Sequence, residues 1–296
     1  MHCFQGSPRG KVHSMKNNDS SDSFSRIAAR PCNALLLMVL LAPSPRSLAA
    51  ESTPEAASAF NAYASGVELR LASQHRLAGT FLVMPAAREE TGQPMDARLR
   101  RGDVVVERLT PPTGAEFAGA MLHHWRGTAF VAGATVPDFE RLMQDFPAYP
   151  EHFHPQVLRA RLIMRQGDRL EAAMRVRQQH VLTVVMDTAY DIRFGRLDAR
   201  HGYSMAHSTR ISEIDAPGTS REHALDAEHE HGFLWRQDTY WSYEERDGGL
   251  YMQVEAVCLT RDLPRGLGWA VGPFVESVPR ESLEFTLSSV SRALRK

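Results

Sequence analysis

Cysteine, lysine and long apolar runs are what this chain has least of. Of its 3 cysteines, Cys3 and Cys32 fall in the first fifty residues, so the remainder keeps only Cys258 and no intrachain disulfide can form there. Beyond residue 50 the sole lysine is Lys296, and the arginines that carry the positive charge are scattered. The chain has 34 basic and 35 acidic side chains, of which six and two lie in the first fifty residues; the remainder carries 28 and 33. A mildly acidic chain without basic runs lacks the electrostatic footprint of a nucleic-acid binder. The apolar run from Ala34 to Ala42 is too short to span a bilayer as a helix. No serine sits in a nucleophile elbow, and Gly266, Gly268 and Gly272 do not follow the pattern of a phosphate loop or dinucleotide fingerprint.

The first fifty residues have a composition of their own. A polar, acid-poor stretch with Arg26 and Arg30 leads into the apolar run, then Pro43, Pro45 and the small-residue stretch Ser47-Leu48-Ala49-Ala50. That three-part order predicts a secretory signal peptide over 1–50, cleaved after Ala49 or Ala50, and hence a periplasmic or secreted protein. Met15-Lys16 would begin a leader of more ordinary length, which makes the first fourteen residues a candidate over-extended start. An uncleaved leader would instead tether the chain to the membrane. Cys32 precedes the apolar run, which argues against a lipoprotein anchor. The 246 residues from Glu51 onward suffice for one large core or two small ones.

Phe60, Tyr63, Ala64, Val67 and Leu71 fall at helical spacing, so Glu51 to Arg76 is expected to be an N-terminal helix packed on the main domain, with a linker to residue 100. Strands are expected at Val104 to Val106 and Met121 to Val131, around a turn at Pro111-Pro112-Thr113-Gly114. Thr135 as N-cap, Pro137 in the first turn and Asp138 in the capping-box position mark a short helix with Phe139, Leu142, Met143 and Phe146 on one face. A meander is expected next: Gln156 to Arg165, Asp168 to Gln178, Val181 to Phe194, His201 to Asp215, His231 to Glu245 and Gly249 to Asp262. Leu170, Ala172, Met174 and Val176 alternate with charged residues, as in a sheet with one wet face. Ser277 as cap, Pro279 in the first turn and the stripe Leu283, Leu287, Val290 and Leu294 predict a C-terminal helix.

That order, with Gly133-Ala134-Thr135-Val136-Pro137-Asp138-Phe139 and then Asp145-Phe146-Pro147-Ala148-Tyr149-Pro150-Glu151-His152-Phe153-His154-Pro155, resembles the START-like (SRPBCC, helix-grip) superfamily. Within it the nearest look is to polyketide cyclase/dehydrase and lipid-transport families, including coenzyme Q-binding proteins. The resemblance spans about residues 103–296. It implies an α+β helix-grip fold: a curved antiparallel sheet wrapped on a long C-terminal helix, here with an extra N-terminal helix, and a START-like ligand-binding domain over 101–296. It also implies an apolar cavity between sheet and helix for a lipid, isoprenoid or polycyclic molecule. No catalytic residue transfers with it, and the leader and N-terminal helix depart from the family pattern.

A turn at Arg246-Asp247-Gly248-Gly249 registers the last hairpin, pairing Glu245 with Leu250, Tyr243 with Met252, Trp241 with Val254 and Trp235 with Thr260. One face then holds Phe233, Trp235, Trp241, Tyr243, Leu250, Met252, Val254, Ala256 and Cys258. Of these, Phe233, Trp235, Trp241, Tyr243, Met252, Val254 and Ala256 are the expected cavity wall, with Gln237 and Thr239 as the polar groups that orient a ligand; the bland alternative is plain core. The opposite face carries Arg236, Asp238, Tyr240, Ser242, Gln253, Glu255 and Arg261, with Tyr240 opposite Glu255 in a cross-strand charged cluster. His123-His124, His152 with His154, and His229 with His231 each offer at most two metal ligands, too few to close a site, so they read as solvated loop histidines and no metal is expected. Cys258 reads as inert packing.

The expectation is therefore an exported binding protein for one apolar small molecule. It needs no cofactor and no catalytic residue, has no nucleic-acid partner, makes at most transient membrane contact, and is monomeric. The alternative is a cyclase- or hydrolase-type enzyme on the same fold, using polar cavity residues as acid and base. A third reading is a structural module whose interior is filled by its own side chains.

Overall fold

Asp247 and Gly248 both adopt positive φ, 56° and 77°, the backbone of a two-residue hairpin turn whose twist suits antiparallel strands. They join strand β8 (Arg236–Arg246) to strand β9 (Gly249–Arg261). The register is the one that the sequence predicts: Glu245 opposite Leu250, Tyr243 opposite Met252 and Trp241 opposite Val254.

A computed structural model describes residues 52–84, 94–111, 117–179, 183–262 and 268–295, the stretch 268–276 as backbone only. The expected leader and most of the turn at Pro111 to Gly114 lie outside them. The described residues belong to one unit, Ser47–Lys296. In chain order the elements before the hairpin are α1 (Pro54–Gln74), α2 (Met95–Arg100), β1 (Val105–Arg108), β2 (Ala120–Ala132), α3 (Val136–Gln144), α4 (Tyr149–His152), β3 (Val157–Gln166), β4 (Arg169–Gln179), β5 (Thr183–Asp198), β6 (His201–Asp215) and β7 (His223–Ala224). After β9 comes α5 (Gly268–Leu294). The strands form one antiparallel sheet in the order β1-β2-β9-β8-β6-β5-β4-β3, with β7 beside β6.

The sheet wraps α5 on its inner face. Leu283, Leu287, Val290 and Leu294 pack there against Ala129, Val131, Leu250, Met252, Val254, Trp241 and Tyr243. Gly127 shows how close the helix comes: a Cβ at that position would stand 2.5 Å from Leu287 Cδ1, so any side chain there would have to displace that leucine. α3 closes one end of this core through Phe139, whose ring centre lies 4.4 Å from that of Tyr243 and 5.2 Å from that of Trp241. Thr135 caps α3 as expected, accepting the Asp138 N–H at 3.3 Å while its hydroxyl donates to the Asp138 carboxylate at 2.7 Å.

The outer face is covered by α1. Its stripe of Ala56, Phe60, Ala64, Val67 and Leu71 packs on Leu122, Tyr240, Val257 and Leu259. The hairpin's outer face is therefore dry at its centre, where the alternation of β4 suggests a wet one.

Four sequence expectations change. α2 falls in the expected linker; its six residues are too few for a periodic signal, and Met95 and Leu99 tuck it against Phe130 and Tyr251. α5 begins at Gly268, so Pro279 lies inside it; proline already holds a helical φ and forfeits one hydrogen bond there. β8 begins at Arg236 and not at His231, because the buried Glu213 carboxylate takes the backbone N–H groups of His231 (2.9 Å), Gly232 (2.9 Å) and Phe233 (3.1 Å). Amides satisfied by a carboxylate are not available to a ladder. Strand alternation consequently fails for Phe233 and Trp235: Phe233 is 43% exposed, and Trp235, although its N–H still bonds Leu259, packs with the α1 cluster on the outer side.

Trp241 is 4% exposed and Leu69, on the solvent side of α1, is 74% exposed. Trp241→Ala should cost about 3–5 kcal/mol, as large-to-small aromatic changes in cores do, and Leu69→Ala well under about 1 kcal/mol. Denaturant unfolding of the two variants checks this. Equal midpoint shifts would contradict the inward placement of Trp241.

Candidate functional site

The inner face is not closed evenly. At the end covered by α3 and the Leu283 to Leu294 half of α5, Tyr243, Leu250, Met252 and Val254 have no exposed surface. Toward the other end Gln178, Gln237, Thr239, Trp125 and Cys258 are half-buried on the same face. Register ties them together: Thr239 stands opposite Ala256, Ala256 opposite Trp125, and Gln237 opposite Cys258. Tyr190, from β5, donates its hydroxyl to Gln237 Oε1 at 3.2 Å; burial, only partly offset by a hydrogen bond with Thr188, raises its pKa well above the usual phenol range. Burial, reinforced by Asp238, pushes the Cys258 thiol up to about 12, so it stays protonated and unreactive near neutrality.

Two buried polar atoms at this end, Trp125 Nε1 and Gln178 Oε1, have no hydrogen-bond partner among the described residues. Gln178 spends its other amide atom on Ser282 of α5 at 3.4 Å. Buried polar atoms are nearly always satisfied by protein, water or ligand. An apolar wall with a few convergent polar groups is the general form of a small-molecule site.

Of the residues expected to line the cavity, Trp241, Tyr243, Met252, Val254 and Ala256 share the inner core. Gln237 and Thr239 lie on the same face by register. Phe233 and Trp235 do not join them. Sequence reasoning missed Trp125, Gln178 and Tyr190, whose strands carry no local sign of which partner they meet.

The outer face holds a polar constellation instead. Tyr240 stands opposite Glu255 as expected, but Glu255 spends its charge elsewhere. It accepts from His124 Nε2 at 2.9 Å and from Arg126 at 2.9 and 3.0 Å, and Arg70 of α1 completes the set. Burial alone would raise its pKa; the hydrogen bond from His124 and the charges of Arg126 and Arg70 outweigh it and hold the carboxyl at about 2. Tyr63 of α1 bonds His124 Nδ1 at 2.8 Å. His123 and His124 are both buried at 3% exposure, so they are not solvated loop histidines. They belong to β2, where successive side chains point to opposite faces. His231 pairs with Glu213 at 2.8 Å.

A cleft of about 440 Å³ opens between α1 and strands β6 and β8, lined by Glu68, Leu71, His75, Tyr203, Met205 and Tyr240 among others. His75 stacks on Phe81 and Tyr203, with ring centres 4.5 and 4.8 Å away, and its Nε2 lies 2.7 Å from the Ser242 hydroxyl. Burial, then the Arg70 charge, lowers its pKa to about 4.

No family model matches the sequence, and no curated protein matches it. Among solved structures, a protein of Thermus thermophilus aligns at 13% identity and a TM-score of 0.41 over 57% of this chain and 94% of its own. A START superfamily protein from Mycobacterium smegmatis aligns at 15% identity and 0.39, covering 58% and 96%. A STAR-related lipid transfer protein from Xanthomonas axonopodis aligns at 11% and 0.38, covering 62% and 98%.

A histidine with a lowered folded-state pKa takes up its proton first in the unfolded chain, so stability falls as pH drops from 6.5 toward about 4. His75→Gln should lessen that fall between these two values, measured as denaturant midpoint against pH in both proteins. Identical pH profiles would contradict the half-buried, neutral placement of His75 between Phe81 and Tyr203. The chain's own topology, a curved antiparallel sheet gripping its last helix behind two strands and a short capped helix, is that of a helix-grip fold.

Proposed function

We propose that this chain is an exported binding protein for an apolar small molecule, a lipid, isoprenoid or polycyclic compound, held on the inner face of the sheet under α5. One observation carries the reading: the inner face is sealed at one end, while at the other Gln178, Thr239, Trp125 and Cys258 are half-buried and two buried polar atoms lack partners among the described residues. Among the described residues α1 adds no cover at that end, because its apolar stripe is spent on the opposite face. An apolar ligand seated against Ala256, with Gln237, Thr239, Trp125 and Gln178 around its polar end, would meet both needs. Trp241, Tyr243, Met252 and Val254 form the floor of such a site. The three-part composition of residues 1–50, with its basic stretch, apolar run and small-residue end, supports the export part of this reading.

Delipidated protein is expected to take up a fluorescent fatty acid or isoprenoid analogue saturably, with about one molecule per chain. Ala256→Trp should block uptake while leaving the circular dichroism and the melting transition of a folded domain. Absence of uptake from a broad lipid extract, together with unfolding of Ala256→Trp, would show that the interior is ordinary core. Export is tested separately: protein from its native host should begin at Ala50 or Glu51. Retention of Met1 or Met15 in a soluble cytosolic form would contradict it.

A further inference from the structure

Where α1 crosses β6 and β8, three side chains from three elements converge. His207 Nδ1 lies 3.1 Å from Asp238 Oδ2, and His207 Nε2 lies 3.7 Å from Glu68 Oε1. One donor atom from each residue can be chosen so that all lie within 4.8 Å of one another. Tyr240 orients the third member, donating its hydroxyl to Glu68 Oε1 at 3.1 Å.

The arrangement is unbalanced at one atom. Asp238 is 3% exposed, and its second carboxylate oxygen, Oδ1, is buried with no hydrogen-bond partner among the described residues. A buried carboxylate oxygen without a donor is costly, and native proteins relieve it with a hydrogen bond or a cation. An imidazolium held between two carboxylates would satisfy Oδ2 and leave Oδ1 as it is. A divalent ion bound through this carboxylate would offset the burial of its charge, which the hydrogen bond at Oδ2 alone does only in part.

We propose that Glu68, His207 and Asp238 form a binding site for a single divalent transition-metal ion of the zinc class. One imidazole and two carboxylates are a donor set that such an ion accepts, and three protein ligands leave one tetrahedral position open. Glu68 and Tyr240 also line the cleft beside α1, so that position would face the cleft and take water or a ligand atom from it. The ion would also pin α1 to the sheet, because Glu68 belongs to the helix and the other two ligands to strands. Binding here is independent of the apolar-ligand reading, which concerns the opposite face.

The test uses the untagged full chain, stripped with a chelator and titrated with Co²⁺ as a spectroscopic probe, then with Zn²⁺ in competition. The expected result is about one equivalent of Co²⁺ with the absorption of a tetrahedral nitrogen–oxygen site, displaced by Zn²⁺. Affinity should fall at least about tenfold in His207→Gln and in Asp238→Asn. It should be unchanged when His229 and His231 are both replaced by Gln, which removes the sequence-adjacent rival pair. If His207→Gln does not fold, Glu68→Gln, at a half-buried helix position, carries the same comparison. No Co²⁺ binding by the folded wild type, or binding undiminished in the folded variants, overturns the proposal and leaves the cluster as an ion pair only.

Discussion

Strand β9 is buried on both faces, and most of the structure follows from that. Its residues from 249 to 257 are all buried, yet they alternate between apolar inner positions and an outer row that includes Gln253 and Glu255. A polar group taken from water must find partners or cost several kcal/mol, on the order of the stability of a small domain's margin. Gln253 finds Thr128 and the carbonyl of Val83, at 3.0 and 2.6 Å. Glu255 finds two arginines and a histidine. Arg70 belongs to α1 and Val83 to the segment after it, so the N-terminal helix is part of what makes the sheet's outer face possible. Without it, Val257, Leu259 and Tyr240 would lose their cover and the Glu255 charge one of its partners.

The two faces of the sheet are therefore chemically unlike. The inner face meets α5 through aliphatic and aromatic side chains and loosens toward Gln237 and Thr239. The outer face meets α1 through an apolar stripe flanked by ionisable groups: Glu255 with His124, Arg126 and Arg70 at one flank, Glu68, His207 and Asp238 at the other. An apolar ligand suits the first environment and a cation suits the second. Neither demands the other.

Local chemistry makes much of this legible in the sequence. Asp247-Gly248 has the turn residues a tight hairpin requires, Thr135 and Asp138 announce a helix start, and the Phe60 to Leu71 and Leu283 to Leu294 stripes each announce a buried helix face. What a stripe cannot say is which surface it meets, and α1 lies on the side of the sheet opposite α5. Partners such as Arg70 and Glu255, or Glu68 and Asp238, are brought together by strand order, which leaves no mark on the neighbouring residues. Phe233 and Trp235 escape the alternation for a related reason: the amides of their segment are held by Glu213, a residue on another strand. The half-buried end of the inner face, with Trp125 and Gln178, depends on the same long-range assembly.

An apolar molecule on the inner face under α5 is the proposed occupant of this fold. Native mass spectrometry of the protein purified intact from its own host tests it most directly. With the proposed molecule bound, a population appears that is heavier than the polypeptide by the mass of one small apolar molecule, released on denaturation and extractable into organic solvent. A single species at the polypeptide mass, unchanged after exposure to the host's own lipid extract, would contradict it.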